Sequence, residues 1–229
     1  MILVIYMQFT MRNLFGKRIL DLLFPPKCPF CGRVREHGGV CPECKKALPW
    51  TGEREARWEL SAGLWCAAPL WYEDLAREGI LRFKFQGKSG AAEALGELIA
   101  RCAAEQFSGE FDTVTWVPVS RKRLRKRGYD QAELLARAAC RLWDTKPLRL
   151  LEKTVDNPAQ SGLSDGAARR ANVLGVYEIC PGAEVRGKRV LLVDDICTTG
   201  ATLRECVRVL KDAGAEGVVC VAAAKTRKK

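Results

Sequence analysis

Histidine is almost absent from this chain: among 229 residues only His37 occurs. It lies between two pairs of cysteines and reads as a solvated loop residue rather than a metal ligand. Long hydrophobic runs are missing too, so nothing in the sequence is long enough to span a bilayer. The opening, MILVIYMQF, is apolar but short, and no basic residue precedes it, which is not the layout of a signal peptide. A start at Met11 would give MRNLFGKRILDLLFPP, a short amphipathic helix ended by two prolines. The first ten residues would then be a disordered tail or no part of the protein. Internal repeats and low-complexity segments are also missing, which excludes a repeat array.

Acidic residues are the minority, 27 against 38 basic, and the formal net charge is +11. Such an excess favours phosphate-bearing partners, nucleotides or nucleic acid, without specifying a fold. With 48% hydrophobic and 28% charged residues the composition is globular, and the length suits one moderate domain with an appendage.

Cysteine, by contrast, is abundant at eleven residues. Four stand in the two tight pairs CPFCGR and CPECKK, as Cys28, Cys31, Cys41 and Cys44. The other seven are scattered singly, mostly in apolar runs, and make no close-spaced disulfide framework. A metal site in a reduced cytoplasm fits this usage better than secretion. Two knuckles with four thiolates suit one tetrahedral Zn2+, which would stabilise a segment too poor in apolar residues to fold alone. The GRVREHGGV spacer is short, but knuckles joined by a hairpin tolerate it. A redox C-x-x-C is the competing reading, and two copies, neither opening a helix after a strand, count against it. Four protein thiolates leave no open position, so the expected role is structural.

The chain divides into a tail and helix (1–24), a zinc-binding module (25–50), a linker and helical hood (51–110) and a core (111–229). In the hood, GLWCAAPLWY reads as a strand, and Leu95, Leu98, Ile99 and Cys102 recur at helical spacing. From TVTWVPV onward, strands alternate with helices, predicting an α/β fold with a parallel sheet flanked by helices. Leu203, Val207 and Leu210 share the face of a helix expected to end near Gly214.

The stretch VLLVDDICTTGATL sets Asp194 and Asp195 at the mouth of a buried strand, before a threonine- and glycine-rich turn. Ligands of open parallel sheets sit beyond the carboxyl ends of strands. Backbone amides from Thr198 to Ala201, through Gly200, and the hydroxyls of Thr198, Thr199 and Thr202 are arranged to wrap a phosphate at a helix N-terminus. Two adjacent carboxylates repel a bare anion, so the ligand must also offer hydroxyls or a metal ion. A ribose 5-phosphate unit does so. The string resembles the phosphoribosyl-pyrophosphate signature of type I phosphoribosyltransferases. An ordinary strand-turn-helix with capping threonines explains only part of it, whereas a spacer position is the simplest account of Cys197.

After the first core strand comes VPVSRKRLRKRGYDQ, where Arg121, Lys122, Arg123, Arg125, Lys126 and Arg127 form a basic loop interrupted by Leu124. The resemblance to these transferases implies that the turn after this strand takes the pyrophosphate, with Ser120 and Arg121 to serve it. The remaining cations exceed what one pyrophosphate needs and suit a nucleic-acid backbone, or form a solvated face.

Taken in order, DLLFPPKCPFCG, YEDLAREGILRFKFQGK, QSGLS with RRANV, and the acid-pair loop resemble the ComF family, in which a zinc module precedes a phosphoribosyltransferase-like domain. The resemblance implies a bacterial cytoplasmic protein of natural competence that helps single-stranded DNA enter the cell beside a helicase-like ATPase. It also implies phosphoribosyl pyrophosphate with Mg2+ as ligand. Two departures stand out. The family's second cysteine set is reduced to Cys66, which predicts a single zinc, and Asp130 replaces Asn in GYDQ. An active phosphoribosyltransferase of unknown acceptor, with KTVDNPAQSGLSDGAARRAN as its lid, and a non-catalytic sensor of the diphosphate remain alternatives. No acceptor or catalytic residue is identifiable.

Overall fold

A computed structural model describes residues 27–35, 39–86, 89–156 and 174–227. The expected helix of 12–24, His37 and the stretch 157–172 of the expected lid lie outside these residues.

The centre of the protein is β7 (Arg189–Cys197), paired in parallel with β4 (Thr113–Trp116) on one side and β8 (Gly217–Lys225) on the other. Beyond β8 the sheet continues through β2 (Leu64–Ala67), also parallel, to the antiparallel edge strand β1 (Arg57–Ser61). Short β3 (Leu70–Trp71) pairs with the far end of β8. The run GLWCAAPLWY therefore forms two strands rather than one, broken at Ala68 and Pro69, where proline has no amide to give to a ladder.

Successive residues of β7 serve opposite faces. Leu191 and Val193 enter a core with Val219, Val221 and Ala223 of β8, while Val190 and Leu192 enter another with Val218, Cys220 and Ala222. A strand covered on both faces has no polar side, hence the unbroken VLLV. Over the first face lie α4 (Ser89–Gln106) and α6 (Gln131–Leu142), packed through Leu95, Ile99, Leu135 and Ala139. Over the second lies α7 (Ala201–Asp212) with Leu203, Cys206 and Leu210, beside a separate ribbon of β5 (Leu151–Lys153) and β6 (Tyr177–Ile179).

Three of the paired cysteines, Cys28, Cys41 and Cys44, belong to the first core as well, while Cys31 is exposed. Cys41 caps α1 (Pro42–Ala47) and Cys44 lies within it, and the four-residue α2 (Glu53–Ala56) leads from this segment into β1. Phe30, in the first knuckle, is fully buried against α3 (Asp74–Gln86), whose inner face is Ala76, Gly79, Ile80 and Phe83. A Cβ at Gly79 would overlap the Phe30 ring, so glycine is the condition for this contact. Arg82, one turn on, donates to the Phe30 carbonyl.

Gly79→Ala should consequently cost about 1–3 kcal/mol by overpacking, against the gain of about 0.5–1 kcal/mol usual for Gly→Ala within a helix. Denaturant midpoints of both variants check the sign, which should revert to stabilising in a Phe30→Ala background.

Candidate functional site

Asp194 and Asp195 lie in the last part of β7, where its pairing with β4 has ended at Val193 while its pairing with β8 continues to Cys197, just before the turn into α7. The Asp195 amide donates to Asp194 Oδ1 at 2.7 Å, which orients the first carboxylate. Burial, and then the adjacent Asp195 carboxylate, push Asp194 well above the usual carboxylate range. Asp195 is held differently: Lys84 Nζ from α3 lies 2.9 Å from its Oδ2. Burial alone would lower the Lys84 pKa, but the Asp195 charge outweighs it and holds the ammonium above its ordinary value. The two acids are thus unequal, one inclined to keep a proton and one tied to a cation.

Gly200 is the N-cap of α7 and adopts a left-handed conformation, φ 71°. No side-chain cap is bound there, so the first amides of the helix point into the turn without the usual Ser or Asp partner. Thr199 Oγ1 accepts weakly from the Ala201 amide at 3.4 Å, and the Thr199 carbonyl accepts from Arg204 Nη2 at 2.6 Å. A side chain at Gly200 would run into Leu60 of β1, so the edge hairpin closes down on this turn. Thr198 is exposed, Thr199 and Thr202 half-buried, and Gly200 and Ala201 buried. Cys197 is buried, and the neighbouring Cys66 thiol, with burial, pushes its pKa up, which keeps it an unreactive thiol.

The basic run is a helix and not a loop: α5 (Arg121–Arg127). Ser120 caps it by accepting from the Arg123 amide at 3.3 Å, and Gly128, at φ 79°, ends it. Helical geometry divides the cations. Arg123 and Arg127 are half-buried, with Arg127 donating to Gln131 at 3.1 Å, while Arg121, Lys122, Arg125 and Lys126 are exposed. Of the exposed four, Arg121 faces Glu152 at 3.4 Å and Lys122 faces Asp156 at 3.6 Å. Just beyond, Asp130 is buried and accepts amides from Val119, at 2.9 Å, and Glu133. Burial outweighs these bonds and raises its carboxyl to about 6. Two carboxylate oxygens serve two amides, which a single Asn oxygen would do less well.

Cys28, Cys31, Cys41 and Cys44 bring their sulfurs within 4.8 Å of one another. A tetrahedral ion with bonds of about 2.3 Å needs sulfurs about 3.8 Å apart, and Cys31 and Cys41 stand at 3.6 Å. Backbone amides point at the sulfurs as metal knuckles require: Cys41 N to Cys28 at 3.5 Å, and Cys44 N to Cys41 at 3.4 Å. Burial would raise Cys28, but amides of Cys41, Cys31 and Phe30 bring it down to about 7, favouring the thiolate that zinc takes.

Residues 124–229 match the family described as Phosphoribosyl transferase domain, and residues 19–56 match the Double zinc ribbon domain. Competence protein F of Haemophilus influenzae is 33% identical over 145 residues, 61% of this chain and 63% of that protein. Competence protein ComFC of Bacillus subtilis is 26% identical, over 82% of this chain and 72% of its own length. DNA utilization protein YhgH of Escherichia coli K12 is 26% identical, over 83% and 80%. The chain is thus similar to the competence proteins F and ComFC, with the two domain types in the order zinc ribbon and then phosphoribosyl transferase.

The acids and the threonine turn come together at the carboxyl end of the central strand β7, and the basic helix follows the neighbouring strand β4. Among the described residues only the four paired cysteines form a metal-ligating group of three or more. Two residues of the site carry no signal in the sequence. Lys84 lies inside a block that resembles the family but has no motif of its own. Asp156, which accepts from Ser120 Oγ, lies at the edge of the polar segment.

Metal analysis should find about one zinc per chain. Because Phe30 ties the knuckle to α3, Cys41→Ser or chelation should lower the thermal midpoint of the whole protein. A folded, metal-free wild type would remove the zinc assignment.

Proposed function

We propose that this protein serves DNA uptake or utilisation in the cytoplasm, holding phosphoribosyl pyrophosphate at the end of β7 and single-stranded DNA along α5. The observation that carries the ligand reading is a pair of unequal carboxylates placed directly before an uncapped helix N-terminus in a phosphoribosyl transferase domain. The sugar hydroxyls donate to Asp194 and Asp195, and the 5-phosphate takes the backbone amides and threonine hydroxyls of 198–202. Mg2+ accompanies the ligand by neutralising its diphosphate. Support for the DNA reading comes from relatives named for competence and DNA utilization and from the outward cations of α5. A helicase-like ATPase is the partner such a role calls for. Among the described residues no helix is long and apolar enough to cross a membrane.

Calorimetry with phosphoribosyl pyrophosphate tests the first half. Asp194→Asn with Asp195→Asn, and separately Thr199→Val, should each weaken binding roughly tenfold or more, by the loss of hydrogen bonds to charged groups. Unchanged affinity in both excludes the site.

For DNA, binding should be sequence-tolerant and fall steeply with salt. Arg125→Glu with Lys126→Glu should reduce the logarithmic salt slope by about 0.7 for each phosphate no longer neutralised, while leaving the small diphosphate's affinity unchanged. Equal weakening of both ligands would make α5 part of the small-ligand site alone, and no weakening of either would make it a solvated face.

A further inference from the structure

The strand end that carries the acids is reached from one side by α3, and the last turn of α3 is completed by residues from elsewhere in the chain. A helix ends with four carbonyls that have no partner within it. In α3, which runs to Gln86, Phe83 and Lys84 supply two of them. Tyr129 Oη lies 3.0 Å from the Phe83 carbonyl and 3.1 Å from that of Lys84, so one hydroxyl proton serves both. Gln131 Nε2 donates to the Lys84 carbonyl as well, at 3.4 Å. Gln131 is 2% exposed, and its Oε1 accepts from Arg127 Nη1 at 3.1 Å, which leaves the amide nitrogen turned towards α3.

These contacts do more than close a helix, because the residue they hold is Lys84. Its Nζ meets Asp195 Oδ2 at 2.9 Å, and the two side chains are only 22% and 16% exposed. A lysine reaches out on a flexible four-carbon stem, so where its ammonium rests depends on where its backbone is held. The pair matters to any anionic ligand, since two adjacent carboxylates repel it and the Lys84 charge offsets one of them. Tyr129 and Gln131 flank Asp130, whose own carboxylate accepts the Val119 and Glu133 amides. Three consecutive side chains thus tie the end of α3 to the chain after β4 and to the start of α6.

We propose that Tyr129 and Gln131 are positioning residues for the acid pair: by holding the last carbonyls of α3 they keep Lys84 on Asp195, and so set the charge that a ribose phosphate meets at the end of β7. This role rests on the ribose-phosphate reading above and deepens it. Neither residue needs to touch the ligand. Loss of the Tyr129 hydroxyl would free the end of α3, let the Lys84 ammonium leave Asp195 for water, and return the second negative charge to the subsite.

Calorimetry of the full-length protein with phosphoribosyl pyrophosphate and Mg2+ tests the assignment through a double-mutant cycle. Tyr129→Phe keeps the ring and removes only the hydroxyl. It should weaken binding roughly threefold to tenfold, and Lys84→Met roughly tenfold or more. Added to Lys84→Met, Tyr129→Phe should change the affinity by less than about twofold, because the charge it positions is already gone. A merely structural tyrosine would weaken binding equally in both backgrounds, and that result, or no weakening in wild type, overturns the proposal. A second cycle needs no ligand: Tyr129→Phe and Asp195→Asn should shift the denaturant midpoint non-additively, since removing the Asp195 charge removes what Lys84 is held against. Additive shifts overturn the proposal too. Should wild type bind no phosphoribosyl pyrophosphate, the ribose-phosphate reading falls, and the unfolding cycle alone decides whether Tyr129 holds the lysine on its acid.

Discussion

The structure depends first on the burial of β7 between two parallel neighbours. A strand bonded on both edges and covered on both faces has nowhere to place a polar side chain until it leaves the sheet. Val190–Val193 obey that constraint, and Asp194 and Asp195 appear where β4 no longer pairs and only β8 still flanks the strand. The same exit turns the chain into α7, and the left-handed Gly200 lets the turn close beneath Leu60 of the edge hairpin. Carboxylates and helix-start amides, which would repel and attract the same anion, become neighbours because one strand end delivers both.

The cysteine knuckles are less of an appendage than their composition suggests. Phe30 is as deeply buried as any residue of the main core, and it packs on the bare surface that Gly79 leaves on α3. The far end of that helix carries Lys84, whose carbonyl accepts from Tyr129 Oη at 3.1 Å and whose ammonium reaches Asp195. Metal knuckle, α3 and acid pair are therefore joined through a single element. Local order around the thiolates bears on how firmly Asp195 is held.

Positive charge is distributed with similar discrimination. Capping by Ser120 and Gly128 turns a run of cations into one short helix, and the helical repeat sends Arg123 and Arg127 inward and the others to solvent. The outward cations suit a long, screened polyanion such as a DNA strand.

What the sequence alone determined is what contiguous residues encode. Two C-x-x-C pairs announce a four-sulfur site because each knuckle carries its own geometry, and the sulfurs do converge. An unbroken apolar run followed by two acids and T-T-G-A-T announces a buried strand, its end and a helix start, since burial and capping act over a few residues. The parallel sheet followed from the alternation of such segments. Tertiary structure decided which distant groups meet. Lys84 comes to Asp195 from another helix, Asp156 comes to Ser120 from beyond β5, and Tyr129 comes to the end of α3 from beyond α5. The basic stretch reads as a loop in the sequence because its charge is conspicuous, while the serine and glycine that cap it are ordinary residues until the helix exists. Pairings of this kind depend on how separate elements pack, and the energy that selects them lies in contacts between segments far apart in the chain.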